Sequence, residues 1–296
     1  MTRSRVALLA AGIAAAALLV VVLVVSSRPA TAAQTALAYL RALTSDSADA
    51  LRDTVELSDA AAAAFEQADA HLSSPEVVEV EEKSGTAAAH VSFVLDGQQR
   101  DATLLLRQYD GTWRVDPSTA LGRLTVAAPV GTGFMIGGRA FPLGSVALVP
   151  AVYTGGPAPW DVREGAAAAT VLPGEPTASD LEPMLTPEAR AEAADQVTAH
   201  LETCTQSAST VPEGCGIRVP WAVDLAEATR FDYRIEKQPV LEVDTTEFRA
   251  DGGELVVTVT GTSHDGAGAS VTYRNDEWTL RGSVVIDDDG LTLAAW

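Results

Sequence analysis

Residues 88–115 have the clearest secondary-structure pattern in the chain: AAHVSFVLDGQQRDATLLLRQYDGTWRV. Apolar side chains occupy every second position from Val91 to Leu95, and this alternation is typical of a half-buried β-strand. Asp96-Gly97 and Asp110-Gly111 are the residue pairs that two-residue hairpin turns favour. The stretch therefore predicts consecutive antiparallel strands, over 88–95, 102–109 and 113–115.

The residues before this stretch show a helical pattern instead. AQTALAYLRALTS (33–45) places its apolar side chains on one face, as an amphipathic helix does. Two further helical stretches are predicted over 47–57 and 59–72, after which the pattern changes to that of strands. Helices followed by an antiparallel meander predict an α+β domain over residues 33–118.

This order of elements resembles that of the NTF2-like (cystatin-like) α+β modules, which are frequent in anchored and lipid-modified proteins of actinobacterial envelopes. The matching pieces are AQTALAYLRALTSDSADALRDTV and QYDGTWRVD, and the resemblance covers residues 33–116. Such folds can enclose a conical pocket with a His or Asp for proton transfer, a role that the resemblance implies for His90 and Asp101. We favour the simpler interpretation, in which both are solvent-facing strand residues.

The rest of the chain divides into three segments. Residues 119–175 are dense in Gly and Pro and predict short strands in a small β-module. EPTASDLEP suggests a linker over 176–185. Thr186-Pro187 then opens a helix, and the strands that follow predict a C-terminal α+β domain with an antiparallel sheet over 186–296. Because this order resembles the first domain, a diverged second copy of the NTF2-like module is one interpretation. Its predicted hairpins have Asp-Gly pairs at 251–252, 265–266 and 289–290.

The N-terminal residues predict export of the chain. Its uninterrupted apolar run of 20 residues, 6–25, is long enough to cross a bilayer, and we predict a transmembrane helix over 6–26. Two arginines precede the run, so the positive-inside rule leaves residues 1–5 in the cytoplasm and places every later domain outside it. The alternative is a signal peptide that is cleaved near Ala32, which gives a secreted protein.

The net charge of −20 restricts the partners of the chain. A strongly acidic surface repels phosphate backbones, so nucleic-acid binding is not expected. Anionic lipid head groups are repelled in the same way. The folded part is therefore predicted to stand off the membrane surface.

Few residues suggest specific chemistry. Cys204 and Cys215 predict a disulfide, because they lie close together in an exported chain. The sequence shows no suitably spaced histidine beside them for a zinc site, so neither a metal nor a cofactor is expected. No catalytic motif is recognised. Trp160, in a loop, is the best candidate for an exposed contact. The four histidines are predicted to be surface or edge residues: His71, His90, His200 and His264.

Together these features predict a membrane-anchored, extracytoplasmic α+β protein that is not an enzyme. Its expected role is binding or scaffolding in the cell envelope, with an envelope protein or the cell wall as partner. Two alternatives stay open: an NTF2-like enzyme for a small hydrophobic substrate, and an accessory or sensor factor for cell-wall synthesis.

Overall fold

The computed structural model describes residues 30–287 and 290–296. The predicted cytoplasmic residues 1–5 and transmembrane helix 6–26 lie outside this range. Residues 288 and 289, at the predicted 289–290 hairpin, also lie outside it. Among the described residues, no helix has both the length and the apolar character needed to span a membrane.

The described residues have an α+β fold with mostly antiparallel sheets and few helices. They form two compact units, and each unit is built from several segments of the chain. Among the described residues, the first unit contains residues 30–124, Val146–Tyr153 and Ala169–Thr177. The second unit contains Thr125–Ser145, Thr154–Ala168 and Ala178–Trp296. The predicted β-module 119–175 is thus divided between the units, which sequence order alone did not indicate.

The first unit begins with helices and continues with a four-stranded antiparallel meander, as the sequence predicts. Thr31 caps the first helix, because its side chain accepts a hydrogen bond from the Gln34 amide and the Gln34 side chain accepts one from the Thr31 amide. The elements are α1 (Ala32–Ala42), α2 (Asp49–Arg52), α3 (Asp59–Glu66), β1 (Ser73–Lys83), β2 (Thr86–Leu95), β3 (Gln98–Tyr109), β4 (Thr112–Val115) and α4 (Pro117–Ala120).

The core of the first unit lies between α1 and this sheet. Val91, Phe93 and Leu95 are buried, which confirms the period of two in β2. Tyr39 of α1 is fully buried, and its hydroxyl donates a hydrogen bond to the Ala120 carbonyl. Burial raises the pKa of the Tyr39 hydroxyl, so it stays neutral and keeps this bond.

The middle of the chain contains nine short strands in three sheets. The sheet orders are β11-β9-β6-β7, β12-β5-β8 and β10-β13. Residues 176–185, which the sequence suggested as a linker, contain two of these strands, so that interpretation was wrong. The strands are β5 (Gly122–Ala127), β6 (Gly133–Ile136), β7 (Arg139–Pro142), β8 (Gly144–Leu148), β9 (Ala151–Pro157), β10 (Arg163–Glu164), β11 (Ala167–Val171), β12 (Pro176–Asp180) and β13 (Met184–Leu185).

The second unit has one long helix packed on an antiparallel sheet. The sheet order is β14-β16-β17-β18, and β15 also pairs with β16. One side of the sheet contributes buried residues to the core, including Phe248, Leu255 and Trp278. The elements are α5 (Pro187–Cys204), a 3-10 turn (Trp221–Val223), β14 (Leu225–Lys237), β15 (Val240–Val243), β16 (Glu247–Ser263), β17 (Gly268–Asp287) and β18 (Gly290–Ala295).

Candidate functional site: the Arg163 cleft

A cleft of about 380 Å³ opens in the second unit. We call it the Arg163 cleft. Its walls come from the β6–β7 hairpin, the turn before β10 and the end of β17. Met135 and Ile286 give it apolar surface, and Trp160, Asp161 and Arg163 lie on the segment that carries its polar groups.

Trp160 stands at this cleft with 72% of its surface exposed. An indole is a large apolar group whose exposure to water is unfavourable, and exposed aromatic side chains are frequent contact residues in interfaces. The sequence singled out Trp160 as the best candidate for an exposed contact. The structure gives it an exposed position beside a cavity, where it can cover one side of a ligand.

Arg163 is the unusual residue of the cleft, because it is a cation that is only 7% exposed. Its Nη1 donates a hydrogen bond to the Ala158 carbonyl at 2.9 Å, whereas its buried Nε has no hydrogen-bond partner. Among the described residues, no carboxylate forms an ion pair with this guanidinium. Burying a charge without a counter-charge is unfavourable, since the lost hydration is not replaced.

The pKa of Arg163 also reflects the loss of hydration on burial. Burial lowers the pKa of its guanidinium below the ordinary value, because the charged form loses hydration. Arginine nevertheless stays protonated at neutral pH. The cleft therefore holds a permanent positive charge, and the buried Nε of that group has no hydrogen-bond partner.

The backbone around the guanidinium leaves room for it. Gly131 has φ +96°, in the region that favours glycine, and a Cβ there would lie 3.2 Å from Nη1 of Arg163. A larger residue at this position would press on the guanidinium and strain the loop. Gly131 thus leaves space for the guanidinium.

Thr186 fixes the turn that carries Trp160 and Asp161. Its hydroxyl donates to the Asp161 carbonyl at 3.0 Å, and its amide donates to the Val162 carbonyl at 3.0 Å. The same hydroxyl oxygen accepts a hydrogen bond from the Ala189 amide at 3.1 Å, which caps α5. Thr186, which the sequence predicts at the start of this helix, therefore also connects the helix to the cleft.

We expect Thr186→Val to lower the free energy of unfolding by about 1–2 kcal/mol, because valine keeps the shape but removes both hydroxyl hydrogen bonds. Thr198→Val is the matched control, since the Thr198 hydroxyl is on the exposed face of α5 and bonds only within the helix. Chemical unfolding measures the difference between the two variants. Equal stability of the two would show that Thr186 has no special role.

His90 and Asp101, the two residues that the resemblance implied for proton transfer, lie elsewhere. In the β2–β3 register His90 is opposite Thr103 and Asp101 is opposite Ser92, so both point to the side of the sheet away from the buried Val91. Both are exposed. The hydroxyl of Thr103 lies 3.1 Å from Nδ1 of His90. The structure does not bring either residue into the Arg163 cleft.

The disulfide between Cys204 and Cys215 is present, with Cα atoms 5.6 Å apart. The expectation that no histidine is suitably placed beside it was wrong. His200 lies one helical turn before Cys204, and the ligand atoms of the three residues lie within 4.8 Å of one another. In this structure the sulfurs are bonded to each other, and Nε2 of His200 donates to the Gly214 carbonyl at 2.9 Å. The group is therefore a covalent tie between the end of α5 and the loop after it.

Sequence reasoning identified Trp160 but missed Arg163. One signal was available, because Arg163 is the single basic residue between Arg139 and Arg190. Comparison with known proteins adds no further assignment: no family model matches the chain, and neither a curated protein nor a solved structure shows detectable similarity to it.

Proposed function

We propose that this chain is an extracytoplasmic binding protein of the cell envelope, attached through its N-terminal apolar run, and that the Arg163 cleft binds a carboxylate of its ligand. The observation that carries the proposal is the guanidinium of Arg163, which lines the cleft, is largely buried, has an unpaired Nε and has no ion-pair partner among the described residues. A bound anion would replace the hydration that this cation has lost.

A carboxylate suits the cleft better than a phosphate does. The planar guanidinium can donate two parallel hydrogen bonds to either group. A phosphate, however, carries more negative charge, and the chain has a net charge of −20 with Asp161 lining the same cleft. The volume of about 380 Å³ is at the small end of the range for ligand pockets, so the ligand or ligand segment is small.

The rest of the ligand is apolar or aromatic in this proposal. Trp160, Met135 and Ile286 offer apolar surface next to the charged group. The exposed positions of His90 and Asp101 favour binding over the NTF2-like enzyme as an interpretation, because a general base needs an enclosed site to shift its pKa.

We expect the full-length chain in detergent to bind 3-phenylpropionate, and to bind 3-phenylpropionamide at least about tenfold more weakly, because the amide has no charge for Arg163. Arg163→Met should weaken binding of the acid by about tenfold or more, since methionine fills the space without the charge. Isothermal titration calorimetry measures both affinities.

The matched control for this measurement is Arg190→Met. Arg190 belongs to the same unit and forms an exposed ion pair with Glu164 at 3.1 Å, away from the lining of the cleft. Arg190→Met should bind the acid as the unmodified chain does. If Arg163→Met also binds it with unchanged affinity, the proposed function is wrong.

The location is tested by reporter fusions. We expect alkaline phosphatase fused after residue 40 to be active and a cytoplasmic reporter at the same place to be silent, because two arginines precede the apolar run. The opposite result would contradict an extracytoplasmic location. Mass spectrometry of the N-terminus separates the two modes of export, since a new N-terminus near Ala32 would indicate a cleaved signal peptide.

A further inference from the structure

We infer that the ligand of the Arg163 cleft is a small zwitterion, in which an apolar or aromatic body carries one carboxylate and one ammonium group, as in an apolar amino acid. This inference rests on the proposed function and names its ligand class. The carboxylate would meet Arg163, and the ammonium group would meet the carboxylate of Asp161.

The inference starts from two opposite charges, those of Arg163 and Asp161, which both line the cleft and form no ion pair with each other. Arg163 is buried, whereas Asp161, two residues earlier, is exposed at the same cleft. The two side chains form no ion pair with each other, and among residues 30–287 and 290–296 the Asp161 carboxylate takes part in none. The charges of Arg163 and Asp161 are therefore left for a ligand. A second carboxylate, that of Asp287, also lines the cleft, and Asp287 already has an interaction partner.

The separation has a structural cause. Val162, between the two residues, is buried in the core of the second unit, and its carbonyl accepts the Thr186 amide. The Asp161 carbonyl accepts the Thr186 hydroxyl. These bonds hold the backbone of the turn, so that Asp161 and Arg163 keep their different degrees of exposure without meeting each other.

The second step concerns the field that a ligand must enter. A ligand with only a carboxylate would approach a chain of net charge −20 and a cleft that two carboxylates, Asp161 and Asp287, also line. A ligand with only an ammonium group would leave Arg163 unpaired. A zwitterion has no net charge, and it places one opposite charge at each of the two groups.

The third step concerns the body that joins the two charges. The indole of Trp160 can pack against an apolar side chain and can also attract an ammonium group through its π-face. Met135 adds a flexible apolar contact on the β6–β7 hairpin. This combination fits an apolar or aromatic amino acid.

The test compares phenylalanine with 3-phenylpropionate, which is the same molecule without the ammonium group, and with phenylalaninamide, which lacks the carboxylate. Calorimetry on the full-length chain should give phenylalanine an affinity at least about tenfold higher than that of either analogue. Asp161→Asn should reduce the affinity for phenylalanine to about that for 3-phenylpropionate, without weakening the latter. Glu164→Gln is the matched control, because Glu164 is close in sequence but outside the lining of the cleft, and it should change neither affinity.

The outcomes separate this inference from the proposed function. If 3-phenylpropionate binds as tightly as phenylalanine and both need Arg163, the cleft binds carboxylates but the zwitterion inference is overturned. If Asp161→Asn leaves the preference for phenylalanine unchanged, the inference is also overturned. If neither compound binds in a manner that depends on Arg163, the proposed function is overturned as well.

Discussion

Trp278→Ala is expected to destabilise the second unit by about 3–5 kcal/mol, the largest effect that we predict for a single side chain. Trp278 in β17 is fully buried, and its indole Nε1 donates a hydrogen bond to the Cys215 carbonyl at 2.8 Å. Alanine would leave a cavity and an unpaired buried carbonyl. Because domains are stable by only about 5–15 kcal/mol, this loss removes a large part of the total.

Urea unfolding followed by circular dichroism measures this effect. Trp278→Phe separates the two contributions, because it keeps most of the apolar volume and loses the hydrogen bond, so its midpoint should lie between those of Trp278→Ala and the unmodified chain. Trp296→Ala is the control, since Trp296 is 66% exposed and its loss should change stability by no more than about 0.5 kcal/mol. Equal midpoints for Trp278→Ala and Trp296→Ala would contradict the prediction.

The fold of the first unit could be predicted because its signals are local. Asp96 and Gly97 have φ of 53° and 68°, and Asp110 and Gly111 have φ of 49° and 79°, as the predicted hairpin turns require. The alternation in β2 reports its buried side directly. The lengths differ. Pairing with neighbouring strands extends β3 to Gln98–Tyr109. The helical stretches predicted over 47–57 and 59–72 are shorter than expected, at Asp49–Arg52 and Asp59–Glu66.

In the second unit, the Asp-Gly pair at 251–252 fits either a hairpin turn or a β-bulge. Asp251-Gly252 was predicted as a hairpin turn, and that prediction was wrong, because both residues lie inside β16. The register of β16 against β17 shifts between Ala250 and Gly253, and Gly252 has φ +70°. A glycine with positive φ serves a β-bulge as well as a turn, and only the neighbouring strands decide between them.

The predicted linker failed for a different reason. β12 (Pro176–Asp180) alternates between exposed and half-buried residues, and none of its side chains is apolar and large. Its strand conformation comes from pairing with β5, which is distant in sequence. Strand formation that depends on non-local pairing leaves little trace in the local sequence.

The candidate site was predictable in part. A tryptophan in a turn-rich segment indicates an exposed contact, and Trp160 has that position. The burial of Arg163 depends on Gly131, on the Ala158 carbonyl and on the tie to Thr186, which the fold brings together. The sequence marks Arg163 as the single basic residue between Arg139 and Arg190, but it does not indicate burial, because charged residues are almost always exposed.

The disulfide links the end of α5 directly to the loop that follows it. Cys204 is the last residue of α5, and the Cys215 carbonyl accepts the indole hydrogen bond of Trp278. The bond therefore fixes the end of the helix to the loop that contacts the sheet. Gly216, with φ +61°, lets the backbone pass close to β17, since a Cβ there would overlap the Thr279 carbonyl oxygen at 2.0 Å.

Cys204→Ser should lower the stability of the second unit by about 2–3 kcal/mol, because the unfolded chain regains the entropy of a loop that the disulfide had closed. For a domain of this size the midpoint of thermal unfolding should fall by several degrees.

Reduction of the unmodified chain should cause a similar fall, whereas reduction of Cys204→Ser should cause none. Thiol labelling of the denatured, unreduced chain should find no reactive thiol, since both cysteines of the sequence are bonded to each other. Two reactive thiols per chain, or a midpoint unchanged by reduction, would show that the bond does not stabilise the protein.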